Sequence, residues 1–246
     1  MAANLGDFTK IDYRRLLEIA KSKFEFIFFD EADSIKKQSV LWRHDVDFSV
    51  EKALEIASLD ASMSVYSTNF ILLHSPMYSL FEKKTFMQIR EILSLNHRIG
   101  LHFDISFYDI NNYDDLEKYL IFEKNILENL FEVPIKYISF HNPQYDHQVV
   151  NLEQEMFCNM INTYSLSLKK RYEYVSDSNG YWRYKTAYNV LSDSDRSVQV
   201  LTHPIWWCDG LSPRDKIQRC VDRRSLIAIY DYDNYFIMNP ERLNVR

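Results

Sequence analysis

Residues 40–47, with the sequence VLWRHDVD, are the stretch from which the fold is predicted. An apolar start with a β-branched residue is typical of a buried strand, and this strand ends in Asp45 and Asp47. Side chains alternate along a strand, so the two carboxylates face the same side. Such a pair repels unless a cation or a shared proton relieves the repulsion. The stretch therefore predicts a strand with a functional acidic end, and the alternative is a solvated turn.

Strand-like and helix-like segments alternate on both sides of this stretch. Helical spacing of apolar residues occurs in residues 11–23, 49–59, 85–95, 114–130 and 212–221. Strand-like composition occurs in residues 64–72, 99–103, 135–140, 172–175 and 198–201. Ser49 is predicted to cap its helix, and Pro213 to lie in the first turn of the last one. These repeats predict an α/β fold with a mostly parallel sheet, closed or partly closed into a β/α barrel.

The composition is that of a globular chain. Of the 246 residues, 46% are hydrophobic and 26% are charged, which suits one α/β domain. The net charge of −6 gives no basic excess for contacts with phosphates and argues against nucleic-acid binding. No linker, repeat or low-complexity tract interrupts the sequence, so residues 1–246 are predicted to form a single domain.

Cysteine usage and the first residues bear on the compartment. The three cysteines form no Cys-x-x-Cys pair and are odd in number, which is typical of free thiols in a reducing compartment. Residues 1–15, MAANLGDFTKIDYRR, lack the apolar core of a secretory signal. The apolar residues 24–29 are too few to span a bilayer. We therefore expect a soluble, cytoplasmic protein without a transmembrane segment.

Four further polar groups follow predicted strands. They are His102 and Asp104 in NHRIGLHFD (residues 96–104), His141 and Asn142 in SFHNP (139–143), Asp177 in DSNGYWR (177–183), and His203 in LTHP (201–204). Each group alone is also explained by structural hydrogen bonding. Together they place aspartate and histidine after separate strands, which is how active sites form at one face of a β/α barrel. His44, His74 and His147 are predicted to make structural hydrogen bonds only.

With these groups in order, the chain resembles the polysaccharide deacetylases, the family 4 carbohydrate esterases. The most specific stretches are SMSVYSTNFILL (residues 62–73) and IREILSLNHRIGLHFD (residues 89–104). The family commonly shows a Gly-His-Glu-Ile-Gly-x-His segment, which NHRIGLH matches except at Asn96 and Arg98. The resemblance covers residues 41–204 and is nearest to an intracellular branch associated with bacterial surface-polysaccharide biosynthesis. It implies an irregular single-domain (β/α) barrel.

The resemblance also implies a divalent metal, with Zn²⁺ as the expected ion. Asp45 matches the family's catalytic base, Asp47 a metal ligand, and His102 the first of two ligand histidines. Ser106 occupies the place of the second histidine, so either His141 or Asp104 completes the set. His141 is the preferred replacement, because imidazole is a common zinc ligand.

Further roles follow from the later motifs of the family. His203, in the Leu-x-His motif, matches the general acid, and Asp177 is expected to orient a neighbouring catalytic group. Trp182, Arg183 and Asn142 are expected to bind the substrate, with Trp182 as a wall of the pocket.

These roles predict a metal-dependent hydrolase that removes an acyl group, such as acetyl, from an N-acylated sugar or a related amide. In the expected compartment, the partner would be an N-acylated sugar or a carrier-linked glycan used in surface-polysaccharide biosynthesis. Ser106 motivates one alternative, a degenerate barrel that binds glycan or serves as a scaffold without catalysis. A glycosyltransferase that uses Asp45-Val46-Asp47 is another alternative, but it leaves the histidines without a role.

Overall fold

The computed structural model describes residues 8–34, 37–143, 150–208 and 211–238. The strands are β1 (Glu25–Ile27), β2 (Ser39–Val46), β3 (Thr68–Leu72), β4 (Arg98–Phe103), β5 (Tyr137–Phe140), β6 (Met156–Phe157), β7 (Met160–Asn162), β8 (Tyr172–Ser176) and β9 (Ser197–Thr202). The helices are α1 (Lys10–Lys23), α2 (Val50–Ser62), α3 (Lys83–Ser94), α4 (Tyr113–Phe131), α5 (Leu166–Arg171), α6 (Ala187–Asp193) and α7 (Pro213–Met238). The prediction for His147 lies outside the described residues.

The strands form one sheet in the order β6-β7-β5-β4-β3-β2-β9-β8, and β1 pairs with the start of β2. Every pairing is parallel except that of β6 with β7. All of β2 is buried. Parallel strands bring their carboxyl ends to the same edge of a sheet, so the polar residues that follow β2, β4, β5 and β9 share one edge.

The sheet curls into a half-barrel, with an open seam between β7 and β8. Across this seam, the Gln199 side chain of β9 donates a hydrogen bond to the Thr163 carbonyl oxygen (3.1 Å). The Tyr164 and Tyr174 rings lie 6.5 Å apart. Within the described residues no strand pairing joins β7 to β8. The predicted irregular β/α barrel is therefore confirmed in its partly closed form.

Apolar side chains fill the interior below the carboxyl ends of the strands. Leu41, Phe70, Tyr137 and Tyr172 belong to one buried cluster there. Gly100 pairs in register with Phe70, and a Cβ atom at this glycine would lie 2.6 Å from the Phe70 ring. A glycine is required at this point of close approach. The filled floor leaves the open end of the half-barrel as the place for a site.

A buried polar network, here called the Asp60 network, joins α1 and α2 to the outer face of the sheet. The Tyr13 hydroxyl donates to Asp60 Oδ1 (2.8 Å), and His44 Nε2 lies 2.9 Å from Asp60 Oδ2. His44 Nδ1 also hydrogen-bonds the Thr202 hydroxyl (2.7 Å), and the Trp42 indole donates to Tyr13 (2.7 Å). The structural role predicted for His44 therefore agrees with its contacts.

The helix predictions hold except at the end of the chain. Ser49 caps α2 as predicted, with its hydroxyl accepting from the Lys52 amide (3.2 Å). Helix α7 continues well beyond the predicted end at residue 221, because no glycine or proline interrupts residues 214–239. The second half of α7 exposes apolar residues such as Leu226 and Ile229. Its apolar residues therefore lack the one-sided spacing by which a helix is predicted from sequence. No helix in the described ranges combines the length and apolarity needed to cross a bilayer.

Candidate metal centre and catalytic cleft

A cleft of about 890 Å³ opens at the carboxyl ends of the strands. Asp45 and Asp47 enter it from β2, His102 from β4, His141 from β5 and His203 from β9. The structure therefore brings together the acidic and histidine groups that the sequence places after separate strands.

Asp47, His102 and His141 converge on one point and are called the metal triad below. Asp47 Oδ1 lies 3.2 Å from His102 Nε2 and 3.6 Å from His141 Nδ1. The two imidazole nitrogens are 3.3 Å apart. Ligand atoms about 2.0–2.2 Å from a tetrahedral zinc ion are separated by about 3.3–3.6 Å. The triad therefore has the spacing that a zinc-sized cation requires.

One carboxylate oxygen of Asp47 supports the same fit. Its Oδ1 atom is buried and accepts no hydrogen bond, although two imidazoles lie beside it. His102 Nδ1 lies 3.3 Å from the Ser139 carbonyl oxygen, and donation to that oxygen turns the Nε2 lone pair towards Asp47. The Asn142 side-chain amide contacts the other ring nitrogen of His141, Nε2 (2.9 Å). These residues fit a divalent metal with oriented ligands.

The charge state of the triad also suits a cation. Burial raises the pKa of the Asp47 carboxyl, but His102, His141 and His203 outweigh burial and hold it well below its usual range. Burial lowers the pKa of His141, whereas Asp47 raises it above its usual value. Asp47 is therefore ionised, which is the state that a metal ligand requires, and a cation bound there would compete with the proton of His141.

Of the two alternatives for the third ligand, the geometry favours His141 over Asp104. The Asp104 carboxylate accepts from the Ser106 amide (2.9 Å) and the Ser106 hydroxyl (2.6 Å). It thereby caps the 3-10 helix Ile105–Phe107 and is not part of the triad. Ser106, where the family has a histidine, serves this local turn. A neighbouring strand end supplies the imidazole instead.

Asp45 lies beside the triad, with Oδ2 3.7 Å from His102 Nε2, and is bound by a buried arginine. Its Oδ2 atom lies 3.1 Å from the Arg43 guanidinium and accepts from the Ser139 hydroxyl (3.3 Å). Arg43 is fully buried and also donates to Thr163 and Tyr164 on the far side of the seam. Asp45 Oδ1 is buried without a hydrogen-bond partner. The sequence interpretation missed Arg43, although its position two residues before Asp45 places it on the same face of β2.

His203 and Asp177 form a second fixed pair at the cleft. His203 Nδ1 lies 2.6 Å from Asp177 Oδ1, and the His203 backbone amide donates to both carboxylate oxygens at 3.0 Å. The Trp207 indole donates to Asp177 Oδ2 (2.7 Å). The imidazole is thus oriented with Nε2 3.7 Å from Asp47 Oδ2. Burial lowers the pKa of His203, but the charge and hydrogen bond of Asp177 dominate and raise it to about 9.

Replacing Asp177 by asparagine is expected to lower the pKa of His203. The amide removes the negative charge that contributes most to stabilising the imidazolium, while burial still opposes protonation, so the pKa should fall from about 9, and the charges of Asp47 and Asp45 should offset only part of the loss. NMR titration of the imidazole in chelator-treated protein measures this pKa. Asp33→Asn, at a fully exposed carboxylate, is the control and should leave it unchanged. An unchanged pKa in Asp177→Asn would contradict the pairing.

The residues predicted to bind substrate are divided by the structure. Asn142 and Arg183 line the cleft. Trp182 does not: its side chain is only 7% exposed and packs against Phe8 and Trp207, with ring centroids 5.5 and 6.1 Å away. The expectation that Trp182 walls the pocket is therefore corrected, because burying this large apolar ring in the core is more favourable than exposing it.

Several tyrosines line the cleft although the sequence interpretation did not single them out. They are Tyr164, Tyr174 and Tyr184. Tyr164 and Tyr174 flank the seam, and their approach depends on the curl of the sheet. No local spacing or motif in the sequence predicts that these two tyrosines lie close together.

The comparisons with known proteins were made for both sequence and structure. No family model matches the sequence. No curated protein matches it either. Among solved structures, the chain is similar to a pseudoenzyme of carbohydrate esterase family 4 from Bacillus anthracis, with 12% identity and a TM-score of 0.44. That match covers 77% of this chain and 61% of the pseudoenzyme, so the chain spans less than two thirds of its length.

Two other similar structures have described activities. One is a family 4 carbohydrate esterase from Bacillus anthracis, with 15% identity, a TM-score of 0.45, and coverage of 85% of this chain and 84% of that one. The other is a family 4 acetyl xylan esterase from Clostridium thermocellum in complex with a cobalt ion. Its identity is 15%, its TM-score 0.41, and its coverage 75% and 84%. These structures belong to the family that the sequence motifs resemble. At such similarity no residue role passes to this chain, and the roles below rest on its own geometry.

Proposed function

We propose that this chain is a metal-dependent hydrolase that removes an acyl group, such as acetyl, from an N-acylated sugar or a related amide. One observation carries the proposal: three convergent ligand groups lie between two separately fixed side chains. Asp45 is held by Arg43, and His203 is held by Asp177. A base and an acid kept apart around a cation site suit hydrolysis of an amide.

Asp47, His102 and His141 would hold the cation, for which Zn²⁺ is the first choice given one carboxylate and two imidazoles. A divalent cation bound there supplies electrophilic stabilisation of charge that develops on an acyl oxygen. The remaining steps belong to side chains of this protein.

Asp45 acts as the base in this proposal. Its unpartnered Oδ1 accepts a proton from water as the water oxygen attacks the amide carbonyl carbon. Arg43 and Ser139 engage Oδ2 and fix the carboxylate for this transfer. His203 then gives its Nε2 proton to the leaving nitrogen as the carbon–nitrogen bond breaks. Asp177 holds the other ring nitrogen, and its charge favours the protonated imidazole that this step requires.

The substrate in this proposal is an N-acylated sugar, free or attached to a carrier. Cytoplasmic location, a place in surface-polysaccharide biosynthesis and the single-domain reading of residues 1–246 stay predictions from the sequence. The transferase alternative gains no support from the site, because three histidines surround the acidic pair and Asp45 is bound to Arg43.

The test is acetate release from a panel of N-acetylated sugars by zinc-reconstituted protein. Asp45→Asn and His203→Ala are each expected to reduce turnover by about 10²–10⁴-fold, since each removes one proton-transfer group. Asp33→Asn, a conservative change at a fully exposed carboxylate, serves as the control. Full activity in both cleft variants would refute the assigned roles. Zinc-loaded wild-type protein that binds sugar without turnover would instead favour a non-catalytic glycan-binding barrel.

A further inference from the structure

One flank of the cleft differs chemically from the metal triad. It consists of Tyr174 on β8 and of Arg183, Tyr184 and Lys185 in the loop before α6, and it is called the rim below. Lys185 pairs with Glu173 (2.8 Å). In the described part of the chain no carboxylate pairs with Arg183, which is exposed and lines the cleft. The rim therefore carries one uncompensated guanidinium.

The loop that carries Arg183, Tyr184 and Lys185 of the rim is anchored at both ends. Before it, Gly180 adopts a φ of +75° against Pro213, where a Cβ atom would lie 3.1 Å from the proline ring. Trp182, immediately before Arg183, is buried in the core. After the loop, the Thr186 hydroxyl caps α6 by accepting from the Asn189 amide (3.2 Å). A loop fixed at both ends presents its charge at a defined place, which lowers the entropy lost when a ligand binds.

The aromatic residues of the rim are unusually accessible. Tyr184 is 88% exposed and Tyr174 is 47% exposed, and both line the cleft. Burying two such rings in the core would have been favourable, as happens to Trp182. Exposed rings beside a cation offer stacking surface for a flat or cyclic group next to an anion. The cleft of about 890 Å³ has room for a sugar together with such a group.

We propose that the rim binds the phosphate or diphosphate group through which an N-acylated sugar is attached to its carrier. The guanidinium fork of Arg183 matches two phosphate oxygens, which a single-point ammonium does not. The chain has a net charge of −6, so an anionic substrate needs a local cation to approach the cleft. This inference rests on the proposed function for the sugar end and extends it to the carrier end.

The test compares affinities by isothermal titration calorimetry. Each titration is made first with zinc-loaded protein and then with chelator-treated protein, in which no turnover can occur. N-acetylglucosamine 1-phosphate is expected to bind about tenfold more tightly than neutral N-acetylglucosamine, as one charge-assisted contact would give. Arg183→Gln should remove most of that difference. Arg14→Gln, at an exposed arginine of α1 that does not line the cleft, should retain it.

Equal affinity for the two probes, or an unchanged preference in Arg183→Gln, would overturn the proposal. Tighter binding of UDP-N-acetylglucosamine than of the 1-phosphate would support the rim with a nucleotide carrier. Tighter binding of a prenyl-diphosphate-linked sugar would support it with a lipid carrier. Metal content of the same preparations separates the two proposals. Protein that takes up no zinc on reconstitution but still prefers phosphate through Arg183 supports the rim and refutes the hydrolase, whereas zinc-loaded protein without the preference refutes only the rim.

Discussion

Asp47→Ala is expected to reduce the zinc retained by the reconstituted protein to background. Both imidazole nitrogens of the triad approach Asp47 Oδ1, so the substitution removes the only anionic ligand. Loss of an outer-shell partner already weakens metal binding by about 10–100-fold, and loss of a direct ligand should exceed that. Elemental analysis after dialysis measures the retained metal, and hydrolysis of any confirmed substrate should fall in parallel.

Asp104→Ala is the matched control for this experiment. Asp104 is the other acidic candidate, but its carboxylate caps a local turn through Ser106. The variant should therefore retain the zinc that Asp47→Ala loses. Retention by Asp47→Ala, or loss by Asp104→Ala, would show that the ligand set differs from the triad.

The second large effect concerns stability. Asp60→Ala is expected to lower the free energy of unfolding by about 3–5 kcal/mol, the range for removing one partner of a buried charged pair. Asp60 is fully buried and satisfies both the Tyr13 hydroxyl and His44 Nε2. Its removal leaves the Tyr13 hydroxyl without an acceptor and His44 Nε2 without a partner, and it loosens the attachment of α1 to the sheet. Urea denaturation monitored by circular dichroism measures the change.

Asp33→Ala provides the comparison, because the Asp33–Arg171 ion pair involves a fully exposed carboxylate. Such pairs contribute little, so the midpoint of unfolding should not move measurably. If the two variants unfolded alike, the Asp60 network would not hold α1 to the sheet.

Much of the fold could be predicted because long buried strands are marked in the sequence. Strand β2 is fully buried and ends in acidic residues, so its bounds were predicted to within one residue. The strands β1, β6 and β7 contain only two or three residues and show no usable periodicity. The sequence analysis did not predict these three strands because they are so short.

The candidate site was also predictable only in part. Asp47, His102 and His141 were predictable as residues of one sheet edge because parallel strands end there. Their convergence on one point also needs the curl of the sheet, because β3 and β4 lie between β2 and β5. Arg43 and Tyr164 are in contact only because the curl of the sheet brings β2 opposite the segment after β7. Local sequence does not predict this contact. Trp182 was misplaced because sequence position near a polar loop does not reveal which way a side chain points.

The seam between β7 and β8 has a consequence for how the cleft can change its width. In the described part of the chain, β8 pairs with β9 alone, and the seam is bridged by side chains such as Arg43 and Gln199. Outward bending of β8 at Tyr174 would therefore widen the cleft without breaking a backbone hydrogen bond between β7 and β8. A closed ring of strands would resist that opening, because each strand would be hydrogen-bonded on both sides.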